Sequence, residues 1–93
     1  MDCAGVTFSG HALRRMFERA LGRDAILKVV ARGETIAEYL DDQPYPSYLV
    51  LGFIAGEPIH VVVGRDPQTR GCFVVTAYSP DPVVWSDDFR KRR

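Results

Sequence analysis

The segment 47–78, SYLVLGFIAGEPIHVVVGRDPQTRGCFVVTAY, determines the fold that we predict for this chain. It contains three apolar runs rich in β-branched and aromatic residues, at 47–56, 58–64 and 72–78. The connections AGEP and RDPQTRG are short enough to join neighbouring antiparallel strands. Upstream, ETIAEYL (34–40) predicts a further strand, followed by the turn-rich loop DDQPYPS. We therefore predict an antiparallel meander of four strands.

Two helices are predicted before the meander, because the apolar residues there recur with a period of 3.6 rather than 2. The first covers 9–21 with Ser9 as its N-cap, and the second covers 25–32 with Asp24 as its N-cap. The apolar stripe of the first helix comprises Leu13, Met16, Phe17, Ala20 and Leu21. The order ααββββ predicts an α+β fold, in which the N-terminal helical hairpin packs on one face of a mainly antiparallel four-stranded sheet.

Length and composition predict a single domain over 1–93, with loose ends at 1–6 and 88–93. No apolar stretch is long enough to span a membrane, and no signal-peptide pattern is visible, so we expect a cytoplasmic protein without a membrane partner. The two cysteines, Cys3 and Cys72, lack metal-ligand spacing. Because disulfides are rare in the cytosol, we expect Cys72 to be a small buried residue and Cys3 to lie in a loose terminus.

The formal net charge is zero, but the charge is unevenly distributed. The segment 90–93 reads RKRR, and the remainder has eight basic against twelve acidic residues, a net charge of −4. Such a tail either contacts phosphates or is a solvated chain end. A basic stripe across the whole domain, which is typical of nucleic-acid-binding proteins, is not visible in the sequence.

Polar residues interrupt two of the apolar strands. Strand alternation predicts one uniformly apolar face that meets the helices, and one mixed face. The apolar face takes Ile59, Val61, Val63, Phe73, Val75 and Ala77, together with Leu49, Leu51 and Phe53. The mixed face carries Tyr48, His60, Thr76 and Tyr78, which is more typical of a ligand surface than of a core.

His11 lies near the start of the first helix, and Arg15 lies one turn further along the same side. A helix N-terminus disfavours a positive imidazole, so a neutral His11 can act as a base. We therefore predict one acid–base or phosphate-contact site formed by His11, Arg15, His60, Thr76 and Tyr78. Each residue alone also fits a packing or capping role. A metal held by the two histidines lacks a third ligand, so no metal or cofactor is expected.

Four motifs carry a resemblance to a known family: FSGHALRRM (8–16), ETIAEYLDDQPYPSYLVLG (34–52), PIHVVV (58–63) and VVTAYSPDPVVW (74–85). In this order they resemble a small bacterial domain family of unknown function, over nearly the whole chain. That family in turn looks similar to the small toxins of the RelE and ParE type. The resemblance implies the same arrangement of a helical hairpin followed by an antiparallel sheet.

A RelE-like relationship implies metal-independent RNA cleavage, in which basic and hydroxyl side chains position the 2′-hydroxyl and the scissile phosphate. His11 and His60 would exchange protons, and Arg15 would contact the phosphate, with Thr76 and Tyr78 nearby. The candidate partners are RNA and an antitoxin or other protein. The acidic body departs from the strongly basic character of such toxins. The alternatives are a non-catalytic protein-interaction module and a toxin-like domain that inhibits a partner enzyme by contact.

Overall fold

The structure, a computed structural model, describes all residues 1–93. Its two helices and five strands follow one another in the order β1, α1, α2, β2, β3, β4, β5. The bounds are β1 Gly5–Phe8, α1 Gly10–Glu18, α2 Arg23–Arg32, β2 Glu34–Tyr39, β3 Ser47–Ile54, β4 Glu57–Arg65 and β5 Gly71–Tyr78. The α+β class and the two N-terminal helices are therefore confirmed.

The sheet has five strands in the order β1-β5-β4-β3-β2. The meander from β2 to β5 is antiparallel as predicted, but β1 adds a parallel strand beside β5. The prediction of a four-stranded sheet is wrong in this respect. The reason is that β1 is only the four residues GVTF, and its partner β5 lies more than sixty residues away along the chain. A strand this short and this far from its partner leaves no local pattern.

Both helices pack on one face of the sheet, which we call the helical face, and share one core. The core contains Ala12 and Met16 of α1, Ile26, Val29 and Val30 of α2, and the sheet residues Val50, Ile59, Val61, Val63, Cys72, Val74 and Ala77. Each helix therefore buries its apolar residues against the same face of the sheet.

The start of α1 is as predicted, whereas the end of α1 and the start of α2 differ from the prediction. Ser9 is the N-cap of α1 as predicted, since its Oγ accepts a hydrogen bond of 2.9 Å from the Ala12 N–H. The second helix instead begins after Gly22, and Asp24 lies in its first turn, where a carboxylate also favours the helix N-terminus. The first helix ends at Glu18, and Ala20 adopts a φ of 54° in the link.

The predicted apolar stripe of α1 is wrong at three positions, because Leu13, Phe17 and Ala20 are exposed and Ala20 lies beyond the helix end. Leu13 is 45% exposed and Phe17 is 88% exposed, whereas Ala12 and Met16 are buried. Since α1 packs mainly on β5, Ala12 and Met16 are sufficient to bury the side of the helix that faces the core. Leu13 and Phe17, one turn apart, therefore remain on the surface of α1.

A β-bulge in β5 changes the predicted faces of the sheet. Val62 pairs with Thr76 but Val63 pairs with Val74, so Val75 is an extra residue. Cys72 and Val74 consequently point to the helical face and Phe73 to the opposite face, the reverse of the prediction. The Val75 carbonyl accepts a hydrogen bond of 3.0 Å from the Oγ of Ser9, which therefore both caps α1 and satisfies the bulge.

The alternation predicted for β3 is also reversed. Val50 pairs with Val61 on the helical face, whereas Leu51 pairs with His60 on the opposite face. Tyr48 pairs with Val63 and therefore does not share a face with His60. Register, which the sequence pattern left open because both sides of β3 are apolar, decides this arrangement.

The segment after β5 folds back over the face opposite the helices, which we call the open face. Trp85 is buried against His60, with ring centroids 4.5 Å apart. Arg90 makes a two-pronged ion pair with Glu34 of β2. The segment 79–93 therefore covers part of the open face rather than leaving it free.

The expectation of unpaired cysteines is wrong, because Cys3 and Cys72 form a disulfide with their Cα atoms 5.6 Å apart. The parallel pairing of β1 with β5 brings the two residues together, since Val6 lies opposite Cys72. The N-terminal amine of Met1 also donates a hydrogen bond of 2.9 Å to the Val30 carbonyl. In the structure both chain ends thus make specific contacts with the domain.

Candidate functional site

His60 lies at the centre of β4 and is fully buried on the open face. Its Nε2 lies 2.9 Å from the Phe89 carbonyl oxygen and its Nδ1 lies 3.1 Å from the Tyr78 hydroxyl. The Tyr78 and Trp85 rings meet it edge to face. The imidazole therefore joins three parts of the chain: β4, β5 and the C-terminal segment.

The hydrogen bonds fix the tautomer of His60. A carbonyl oxygen only accepts, so Nε2–H donates to Phe89, and in the neutral ring Nδ1 then accepts from the Tyr78 hydroxyl. Burial lowers the pKa of His60, and the hydrogen bond to the Phe89 carbonyl opposes this only in part. Burial also raises the pKa of Tyr78. Both groups are therefore neutral at physiological pH, and both ring nitrogens of His60 are occupied by hydrogen bonds.

Acid is expected to destabilise the fold through His60. Because the folded-state pKa lies below the unfolded value of about 6.5, the unfolded chain binds more protons, and stability falls as pH drops below about 6.5 towards the folded pKa. The slope reaches at most about 1.4 kcal/mol per pH unit for one group. Denaturant melts between pH 7.5 and 5 measure it.

Two variants test this pH dependence: His60→Phe removes the titrating group, and His11→Ala is the matched control. The aromatic replacement should flatten the profile between pH 7.5 and 5, and the His11 variant should retain it. The acidic groups with lowered pKa values, such as Asp66 and Asp88, titrate below this window. An unchanged slope in the His60 variant would contradict the assignment.

The five residues predicted to share a site occupy two separate regions. Thr76 and Tyr78 lie on the open face with His60, as the register Val62↔Thr76 and His60↔Tyr78 shows. His11 and Arg15 are exposed on α1, which packs on the helical face. Arg15 contacts Glu18 at 3.5 Å and makes no contact with the His60 cluster. The structure therefore brings three of the five together and leaves two elsewhere, while their catalytic role stays a prediction.

The two helices α1 and α2, which we call the helical layer, carry a basic surface that was not predicted from the sequence. Residues 10–32 contain six basic and two acidic residues, whereas the rest of the chain contains six basic and ten acidic ones. All six cations are exposed: Arg14, Arg15, Arg19, Arg23, Lys28 and Arg32. Because both helices lie on the same side of the sheet, these charges belong to one side of the molecule. The zero net charge is thus the sum of a helical layer of +4 and a remainder of −4.

Most of these cations have no acidic partner. Only Arg15 forms an ion pair, and Arg23 instead lies 5.0 Å from the Phe8 ring centroid. Lys28 and Arg32, one turn apart, flank a shallow cavity of about 230 Å³ beside the backbone of Gly33. Phe17, almost fully exposed, lies one helical turn from Arg14. The α1–α2 surface therefore combines unpaired cations with an exposed aromatic ring.

No three histidine, cysteine, aspartate or glutamate side chains are grouped so that they could hold a metal ion. Neither helix is long and apolar enough to cross a membrane.

Comparison with known proteins gives one match. A family model described as "Domain of unknown function (DUF4258)" matches residues 8–79, which is more than half of the chain. No curated protein and no solved structure matches the chain. The matched segment runs from the end of β1 to the end of β5 and so includes both helices and His60. The chain therefore belongs to the DUF4258 family.

Proposed function

We propose that this protein binds single-stranded RNA through the exposed surface of α1 and α2. The observation that carries the proposal is the segregation of charge, with six exposed cations and two carboxylates on the helical layer. When the cations of a protein bind phosphate groups, they displace condensed counterions from the nucleic acid. The release of these counterions favours the binding of any nucleic acid to such a surface. The remainder of the molecule, with its excess of acid, repels the backbone and so favours one orientation.

The exposed Phe17 favours single-stranded over double-stranded RNA. Unpaired bases can stack on an aromatic ring irrespective of their sequence, at about 1–3 kcal/mol per base. In a duplex the bases are already stacked and out of reach of α1. Arg14, one turn from Phe17 and free of any ion pair, is placed to contact the phosphate beside a stacked base.

The proposal takes up the resemblance to RelE- and ParE-type toxins in its RNA-binding form. Cleavage would require a proton acceptor beside the bound phosphate. His11 and Arg15 lie on the proposed RNA surface, and we assign the proton acceptor to His11 and the phosphate contact to Arg15. We do not assign His60 to it, because its two ring nitrogens are occupied and it is buried on the opposite side of the sheet.

The direct test is the affinity for a short fluorescent oligoribonucleotide as a function of salt. We expect log K to fall linearly with log salt, with a slope of about −0.7 for each phosphate contacted. Arg19→Ala should reduce the slope by about one contact, whereas Arg70→Ala, an exposed arginine outside the helical layer, should not change it. Equal effects of both substitutions would contradict RNA binding at the surface of α1 and α2.

The matched aromatic pair is Phe17→Ala and Tyr39→Ala. Both side chains are exposed, but Tyr39 lies on β2 rather than on a helix. We expect Phe17→Ala to weaken binding about tenfold, and Tyr39→Ala to leave it unchanged. If neither substitution weakens RNA binding, base stacking is not part of the interaction.

A second candidate is a non-catalytic protein-interaction module on the same helix. The observation that favours it is the pair of exposed apolar residues Leu13 and Phe17, surrounded by cations. An acidic amphipathic helix, such as an antitoxin segment, would fit this surface. The two candidates differ in salt dependence, because an apolar contact weakens far less with salt than phosphate binding does.

A further inference from the structure

The largest cavity of the molecule, about 420 Å³, lies on the open face, where the C-terminal segment does not cover the sheet. Its floor comes from neighbouring positions of β4 and β5: Val62, Gly64, Phe73 and Val75. Its rim is the β2–β3 loop, which supplies Asp42, Gln43, Pro44, Tyr45 and, at its end, Ser47. We call this cavity the open-face groove. Since it lies on the opposite side of the sheet from α1 and α2, it is independent of the proposed RNA surface.

Two features of the fold create the groove. The bulge in β5 places Val75, which is 44% exposed, in its floor. Gly64 provides no side chain at the position that pairs with Phe73. A Cβ added at Gly64 would meet no atom closer than 3.9 Å, so the missing side chain leaves space that packing does not require. The groove is thus a property of the register, not a gap in the core.

One wall of the groove is aromatic. The rings of Tyr45 and Phe73 are stacked, with centroids 5.4 Å apart and planes within 10° of each other. The wall is therefore a flat surface of the kind on which a planar group stacks.

The groove carries negative charge without compensation. One carboxylate oxygen of Asp42 accepts a hydrogen bond from the buried Ser47 hydroxyl, and the other has no protein partner. Asp42 forms no ion pair, although five arginines of the chain form ion pairs elsewhere. No basic residue lines the groove. An occupant that is cationic and partly apolar would match both the carboxylate and the floor.

We infer that the open-face groove binds an arginine side chain presented by a partner polypeptide. The guanidinium is planar, stacks on aromatic rings and pairs with carboxylates through two parallel hydrogen bonds. Its methylene stem fits the apolar floor of Val62 and Val75. A lysine ammonium matches the charge of Asp42 but not the flat Tyr45–Phe73 wall.

The test is a titration of the ¹⁵N-labelled protein with the blocked tripeptide Ac-Ala-Arg-Ala-NH₂. We expect saturable shifts of the Val62, Gly64 and Phe73 amides, and none for the citrulline peptide, which has the same shape without the charge. Asp42→Asn should weaken binding about fivefold. Glu57→Gln, an exposed carboxyl in the β3–β4 hairpin that forms no ion pair, is the matched control and should not change it.

A variant that fills the groove tests whether binding needs the shape of the groove in addition to the charge of Asp42. Gly64→Ala introduces a Cβ without a close contact, so the fold should persist and arginine binding should be lost. The inference is overturned if the arginine and citrulline peptides bind equally, if the lysine peptide binds as tightly as the arginine peptide, or if no groove amide shifts up to about 10 mM peptide. None of these outcomes bears on RNA binding at α1 and α2.

Discussion

Reduction of the Cys3–Cys72 disulfide is expected to lower the free energy of unfolding by about 4 kcal/mol. The bond closes a loop of 69 residues, and a cross-link of that span removes much of the conformational freedom of the unfolded chain. A domain of this size is stable by only about 5–14 kcal/mol. Loss of the disulfide therefore removes a large part of the total, and β1 should be released from β5 first.

Guanidinium titrations with and without dithiothreitol measure this effect. The Cys3→Ala variant is the cleaner comparison, since Cys3 is only partly buried and Cys72 then remains as a small apolar side chain in the core. The variant and the reduced protein should unfold at the same midpoint, and reductant should not change the variant further. Identical midpoints for oxidised protein and variant would show that the disulfide contributes nothing to stability.

Replacing His60 with alanine is expected to cost about 3 kcal/mol and to loosen the C-terminal segment. The substitution removes a buried ring and leaves the Tyr78 hydroxyl and the Phe89 carbonyl without partners. Trp85, the only tryptophan, packs edge to face on the lost ring, so its fluorescence should shift to longer wavelength. Both changes have one cause, the loss of the link between β4 and the segment that follows β5.

His11→Ala is the matched control for this prediction. His11 is exposed on α1 and its side chain makes no hydrogen bond with the protein, so the substitution should change stability by less than about 0.5 kcal/mol. Equal losses in the two variants, or an unchanged tryptophan spectrum in His60→Ala, would contradict a structural role for His60. RNA affinity should be retained in His60→Ala wherever the protein remains folded.

The helices and the meander could be predicted from sequence because their signals are local. Ser9, the period of 3.6 and the short β-hairpin connections each act over a few residues. The parallel β1 strand and the disulfide could not, since both depend on one approach between Cys3 and Cys72 across most of the chain. Periodicity contains no information about contacts at that distance.

The candidate site was harder to predict because it depends on faces rather than on residue types. One extra residue at Val75 inverted the predicted alternation of β5, and apolar residues on both sides of β3 concealed its register. The grouping of His60, Thr76 and Tyr78 was correct because all three lie on the regular side of the bulge. The basic surface was missed because a sum over the sequence cancels charges that the two layers keep apart.

The most direct test of RNA binding through α1 and α2 is the backbone-amide NMR spectrum of the protein during titration with a single-stranded oligoribonucleotide. The proposal predicts that shifts concentrate at residues 10–32, with the largest near Arg14 and Phe17, while the amides of His60 and Tyr78 stay unchanged. Shifts centred on His60, Thr76 and Tyr78 instead, or no shift anywhere at low salt, would contradict it.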